Sequence, residues 1–182
     1  VYDGKNNKVG LATSEIKGKS GLMTMDYKKL GKLLSAGTFV DIFLANWDVV
    51  GGDDGNIIVS KDTATRIDPG GALTFRAQGG RKGSKFSSQA GELKTMLDPG
   101  FGAGQILQYS DLKQGAKTFI SVPWTSVKQA MDTTNKEIFG ELQKRSMNDL
   151  MKEWSQEYKT ISSVLAERHK VILSHVKFIF KK

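Results

Sequence analysis

Three oxygen-bearing side chains, Asp48, Asn56 and Asp68, are spaced so that one hairpin would gather them. Asn56 opens an Ile-Ile-Val run, Lys61-Asp62-Thr63 supplies a polar turn, and Asp68 closes the next extended run in Asp-Pro-Gly-Gly. Two extended runs joined by a short polar loop read as a hairpin, which places its first and last residues side by side. Asp48 stands just upstream, where an apolar helical run ends. Converging carboxylate and amide oxygens suit magnesium on a nucleotide, and one carboxylate could orient a hydroxyl for phosphoryl transfer. Two other readings of the acidic loop Gly51-Gly52-Asp53-Asp54-Gly55 stay open: an ion-free turn, which Asp and Gly favour, or a different divalent site. An EF-hand is excluded, because the loop lacks the alternating ligands and the closing Glu.

The order Asp, then Asn before a short strand, then Asp-x-Gly at the end of the next strand resembles the catalytic and metal loops of kinase folds. The wording Asn46-Trp47-Asp48-Val49-Val50-Gly51, Arg66-Ile67-Asp68-Pro69-Gly70-Gly71-Ala72-Leu73 and Phe75-Arg76-Ala77-Gln78-Gly79 looks like the atypical group. That group includes phosphoinositide 3- and 4-kinases and HipA-type kinases, and the stretch is similar to a kinase-like module of bacteriophage head-associated and effector-like proteins. The resemblance covers roughly the first 110 residues and implies Mg²⁺ and ATP as cofactors. It makes Asp48 the catalytic carboxylate, and Asn56 and Asp68 the metal ligands. It gives the hinge that meets the adenine to Glu15 and Ile16. Arg76, Arg81 and Lys82 would meet the substrate or transferred phosphate, in the place of an activation segment. One departure is the spacing. Seven residues separate Asp48 from Asn56, against about four in the kinase loop, so Asp53 and Asp54 compete for either role. A source in a phage would put the protein in the virion or the host cytoplasm; the general expectation is cytoplasmic.

The elements that must position these residues are legible in the apolar spacing. Leu30, Leu33 and Leu34, then Phe39, Ile42 and Phe43, fall at helical steps over Asp26–Ala45, with Gly37 separating two helices. The Phe39 stripe reads as core, and Trp47 as packing beneath the catalytic loop. The alternating stretch Lys8–Ile16 reads as a strand pair with the turn before it, the last of a small lobe. A kinase small lobe also needs a nucleotide-covering loop and a strand lysine upstream. Val1–Ile16 has no room for them, so a missing upstream lobe or partner chain is expected to complete the site. Arg76, Arg81, Lys82 and Lys85 lie on a glycine-rich loop without the spacing of a Walker-type phosphate loop. They read either as phosphate contacts or as a solvated loop. Ser88–Leu97 reads as a short helix, with another near Ser110.

Beyond Gly104 only Gly115 and Gly140 remain of 20 glycines, which places a boundary between a catalytic lobe, 1–115, and a C-terminal helical region, 116–182. From Trp124 the chain reads as helix almost throughout. Met147, Met151, Trp154, Tyr158, Ile161, Leu165, Ile172, Val176 and Ile179 mark one face of a long amphipathic helix, with a gap spanning His169. The fold expected is α+β and mainly helical, like a kinase large lobe with a short hairpin at the active-site loop and a C-terminal helical bundle.

Composition narrows the chemistry further. The chain has 182 residues and begins with Val1, which reads as a fragment or processed product. With no cysteine it has no disulfide framework and no thiolate metal site, and its two histidines, His169 and His175, lie far from the acidic loop. A net charge of +8 favours phosphates, nucleic acid or acidic surfaces as partners. No run is apolar enough to span a membrane. Two functions are expected from this: an incomplete kinase-like phosphotransferase or pseudokinase lobe with an unknown hydroxyl acceptor, or a non-catalytic structural or interaction module with a basic polyanion-binding surface.

Overall fold

The computed structural model describes residues 17–20, 26–51 and 55–180. The strand pair and the hinge residues Glu15 and Ile16 lie outside the described residues, as do Asp53 and Asp54. The described chain is mainly helical with one small antiparallel sheet.

The hairpin forms where the sequence places it. Strand β2, Ile57–Ser60, pairs with β3, Thr63–Arg66, in the register Ile57 with Arg66 and Ser60 with Thr63. Lys61 takes the left-handed backbone conformation that a two-residue hairpin turn requires (φ 54°). A third strand, β1, Lys19–Ser20, adds to the outer edge of β2, so the order is β1-β2-β3. Ile57 and Val59 point into the core, and Ile58 and Ser60 away from it.

Two short helices carry the chain toward the site. Helix α1, Tyr27–Leu33, is capped by the Asp26 carboxylate, which accepts from Lys29 N at 2.7 Å. A 3-10 turn, Ser35–Gly37, then leads into α2, Thr38–Phe43, so Gly37 does separate two helices. Gly37 leaves room for the Arg66 side chain. A Cβ there would lie 2.5 Å from a guanidinium nitrogen of Arg66. That guanidinium reaches from β3 to the junction, donating to Asp41 Oδ2 at 2.7 Å and to the Leu34 carbonyl at 3.0 Å. The bond between Arg66 and Asp41 fixes the hairpin against α2.

After the hairpin come a glycine-rich loop and three more short helices, α3 at Glu92–Thr95, α4 at Gly104–Leu107 and α5 at Leu112–Ser121. The C-terminal region is two helices, and the amphipathic stripe read from the sequence falls on the second. Helix α6, Trp124–Lys144, turns at Arg145–Met147 into α7, Asn148–Ile179. Ser146 adopts φ 55° at that turn.

One core joins the two regions assigned from composition. Phe39, Ile42, Phe43 and Leu30 pack in the same cluster as Ile161, Leu165, Ile172 and Val176 of α7. The gap in the α7 stripe is filled by an arginine. Arg168 lies three residues after Leu165 and four before Ile172, is fully buried, and points into the core as its apolar neighbours do.

Candidate functional site

The site grows from the C-terminal end of α2. Ala45 and Leu73 both hold left-handed backbone conformations, at φ 52° and 55°, which is unusual for side chains of these types. Backbone bonds tie the two turns together: Leu73 N donates to the Leu44 carbonyl at 2.6 Å and Trp47 N to the Gly71 carbonyl at 3.3 Å. Segment 44–48 and the Asp-Pro-Gly-Gly turn therefore lie side by side. Only glycine allows this at position 71, because a Cβ there would stand 2.6 Å from Cβ of Asp48.

Asn56 closes the other side. Its amide nitrogen donates to the Asp48 backbone carbonyl at 2.6 Å and to the Asp48 carboxylate at 3.1 Å. Both bonds use the nitrogen, so the amide oxygen is the atom that a cation would take. Ile67 N donates to the Asn56 carbonyl at 3.0 Å, which continues the hairpin ladder and sets Asp68 beyond it. The Asp68 carboxylate accepts from Gly70 N at 2.8 Å, and the residue is exposed. Asp48 and Asn56 are thus brought into contact, and Asp68 sits at the rim, on the turn that packs against Asp48.

Asn46 adds a polar atom that the sequence reading did not use. It is buried, and its Oδ1 has no hydrogen-bond partner. That atom would lie 3.4 Å from a Cβ on Gly71, so it faces the same narrow cradle as Asp48. Asp48, Asn56 and, from the neighbouring turn, Asp68 carry the oxygen atoms that a magnesium ion could take, a cation that uses one or two carboxylates and leaves its remaining positions to phosphates and water. Among the described residues no group of three His, Cys, Asp or Glu side chains could hold a metal by itself. A cation here would need ligands beyond these side chains, such as phosphate or water.

Lys82 has a different task from the phosphate contact expected of it. Its side chain is buried, and its Nζ donates to the carbonyls of Ala45 at 2.5 Å, Gly71 at 2.7 Å and Leu73 at 2.9 Å. An ammonium has three N–H donors, so none is left for a phosphate. Lys82 instead clamps the two left-handed turns that carry the site. Desolvation pulls its pKa down to about 8, with Glu92 opposing the shift. The ammonium also lies 4.8 Å from the centre of the Trp47 ring.

Arg81 is held as well. It pairs with Glu157 of α7 at 2.6 Å and stacks over Phe75 at 4.9 Å. Burial raises the Glu157 carboxyl, but Thr74 and the Arg81 guanidinium together hold it below its usual range. Arg76 is exposed at the turn Arg76–Gly80, where its backbone N–H donates to the Gly80 carbonyl at 2.7 Å.

Beneath the site runs a network that the composition gave no reason to expect. Trp47 is half-buried and donates through Nε1 to Glu92 at 2.9 Å. The other Glu92 oxygen accepts from Arg168 at 2.8 Å. Arg168 also donates to the carbonyls of Phe43 at 2.8 Å, Ser87 at 2.7 Å and Ile42. One guanidinium from α7 thereby caps the carbonyls at the end of α2, just before the candidate catalytic loop, with the Ile42 oxygen also accepting from Ala45 N at 3.1 Å. The signal that could have found it was the single missing step in the α7 stripe.

No family model, curated protein or solved structure matches this chain.

Proposed function

We propose that the chain is a kinase-like phosphotransferase lobe, in which Asp48 orients an acceptor hydroxyl and Asn56 and Asp68 hold a magnesium ion on ATP. The observation that carries this reading is the pair of hydrogen bonds that the Asn56 amide nitrogen donates to Asp48, one to its carbonyl and one to its carboxylate. Such a bond fixes the carboxylate while leaving the amide oxygen for a cation. Magnesium bound there would neutralise phosphate charge. Asp48 would accept a hydrogen bond from the acceptor hydroxyl and hold it for in-line attack. The exposed carboxylate of Asp68 would join the ion from the rim. Lys82 acts only as a positioning residue, by fixing the turns at Ala45 and Leu73.

Calorimetric titration of the full chain with Mg-ATP tests the metal assignment. Asp68→Ala should abolish magnesium-dependent binding, whereas Asp48→Asn should spare binding and remove transfer. Binding by Asp68→Ala equal to that of the parent chain would show the assignment to be wrong.

A second reading, a non-catalytic interaction module with a basic surface, is favoured by a specific observation. Two of the three cations expected to meet phosphate, Arg81 and Lys82, are already engaged within the protein. Under that reading polyanions bind without magnesium, and Asp68→Ala changes nothing.

A further inference from the structure

The C-terminal end of α1 is bonded to the N-terminal end of α5. Ser110, just before α5, donates through Oγ to the Gly31 carbonyl at 3.1 Å. Asp111 N donates to Ser35 Oγ at 2.7 Å, and that hydroxyl donates to the Lys32 carbonyl at 2.7 Å.

The outward sides of these two helices carry positive charge that nothing compensates. Lys28, Lys29 and Lys32 of α1 and Lys113 and Lys117 of α5 are all exposed, and neither helix contains an Asp or Glu. The acids at the two helix starts, Asp26 and Asp111, serve as N-caps, accepting from Lys29 N at 2.7 Å and Gln114 N at 3.1 Å. Among the described residues none of the five lysines has an ion-pair partner. Helices α6 and α7 are built the other way: Lys128, Lys144 and Lys170 each pair with an acid three or four residues off. Lys28 with Lys32, and Lys113 with Lys117, instead set like charges four residues apart, which costs helix stability. A bound polyanion removes that cost.

Two aromatic rings stand on the same side. Tyr27 is 45% exposed and Tyr109 41%. A Cβ on Gly31 would lie 2.9 Å from Cβ of Tyr109, so Tyr109 rises beside α1, one helical turn from Tyr27. Neither tyrosine packs on another ring among the described residues.

The rings choose among polyanions. A bilayer surface needs an apolar helix face to bury, but Leu30 and Leu34 point into the core, and the exposed Ile120 and Val122 lie at the far end of α5. An acidic peptide brings charge without planar groups for the rings. A single nucleic-acid strand brings both, phosphates for lysines and unpaired bases whose faces stack on aromatic side chains.

We propose that α1 and the start of α5 form a sequence-tolerant binding face for single-stranded nucleic acid, with the lysines on phosphates and Tyr27 and Tyr109 stacked on bases. This inference deepens the basic-surface reading and does not rest on phosphotransfer, so Asp48→Asn should leave it unchanged.

Fluorescence anisotropy of a labelled oligothymidylate, titrated with the full chain, tests it. Tyr27→Ala and Tyr109→Ala should each weaken binding by at least about fivefold, while Tyr27→Phe, which keeps the ring, should bind as the parent does. Lys113→Gln combined with Lys117→Gln should reduce the log–log salt slope by about 1.4. Heparin, a polyanion without bases, should bind both tyrosine variants as it binds the parent. Each alanine keeps its Cβ, so the seat of residue 109 beside Gly31 is preserved. Strand affinity unchanged in both tyrosine variants overturns this inference and leaves the basic-surface reading standing. An equal loss of heparin binding overturns it too, because the rings would then act on the fold. Tighter binding to phosphatidylserine vesicles than to the strand would identify a membrane surface instead. A strand that does not bind at all overturns both readings.

Discussion

Arg168 and Glu92 form a buried pair whose remaining hydrogen bonds all go to backbone carbonyls or to Trp47. Removing one partner strands the other charge and several acceptors away from water. Arg168→Ala should therefore lower stability by about 3–5 kcal/mol in urea denaturation, and a loss below about 1 kcal/mol would show that water replaces the guanidinium. His169, the next residue, is packed among Phe119, Trp124 and Phe43, with ring centres 5.4, 5.8 and 6.3 Å away. Burial lowers its pKa. The unfolded chain then binds the proton more readily, so stability falls as pH drops below the unfolded value of about 6.5. Asp41 acts with the opposite sign: desolvation, opposed by Arg66, raises its carboxyl to about 6. Its contribution is complete below the unfolded value of 3.8 and is lost as pH rises through 6. Subtracting the pH–stability curve of His169→Phe from that of the parent isolates the histidine, and a flat difference between pH 5 and 7 would show that the ring is not desolvated.

At the scale of elements, two helical glycines should respond in opposite directions to alanine. Gly31 lies where α1 crosses α4, and a Cβ there would stand 2.3 Å from the Ile106 carbonyl. Backbone cannot yield that distance cheaply, so Gly31→Ala should destabilise by at least about 2 kcal/mol. Gly140 sits inside α6 with no atom within 4 Å of an added Cβ. Gly140→Ala should stabilise the chain by up to about 1 kcal/mol through helix propensity. Thermal unfolding of the two variants compares them directly, and a shift of the same sign in both would mean that the crossing can relax. The glycine pattern by itself marks both positions as weak points in a helix. Only the crossing tells them apart.

For the whole molecule, the positive charge is concentrated away from residues 132–156 of α6 and α7, on surfaces such as Lys28, Lys29 and Lys32 of α1 and Lys113 and Lys117 of α5. Polyanion binding by the full chain should be nonspecific and should fade with salt, because it rests on displaced counterions. Titration of a labelled single-stranded oligonucleotide at rising salt measures the slope. Reversal of Lys28, Lys29 and Lys32 to Glu should reduce it, while Asp68→Ala should not. A salt-independent affinity would place the contact elsewhere. Robust ATP turnover by residues 1–182 alone, lost in Asp48→Asn, would mean that the chain supplies its own clamp over the phosphates.

What the sequence determined by itself is local. The hairpin over 56–68, the helices flanking Gly37 and the C-terminal stripe follow from turn chemistry and from apolar steps a few residues apart, where the interacting groups are chain neighbours. The contact of Asn56 with Asp48 was legible for the same reason, since a hairpin mouth and the helix end just before it span a short stretch. Tertiary structure decided the rest. Lys82 belongs to a run of cations that reads as phosphate contacts or as a solvated loop, because charged residues are rarely buried without partners. Its partners are three carbonyls presented by two left-handed turns, and no spacing rule encodes them. Arg168 reaches carbonyls more than a hundred residues earlier in the chain, a distance over which only the packing of α7 on α2 fixes a partner. The absence of buried residues from 120 to 160 was equally hidden. An amphipathic stripe shows that a face must be covered, but whether the body covers it depends on where the helix leaves the body.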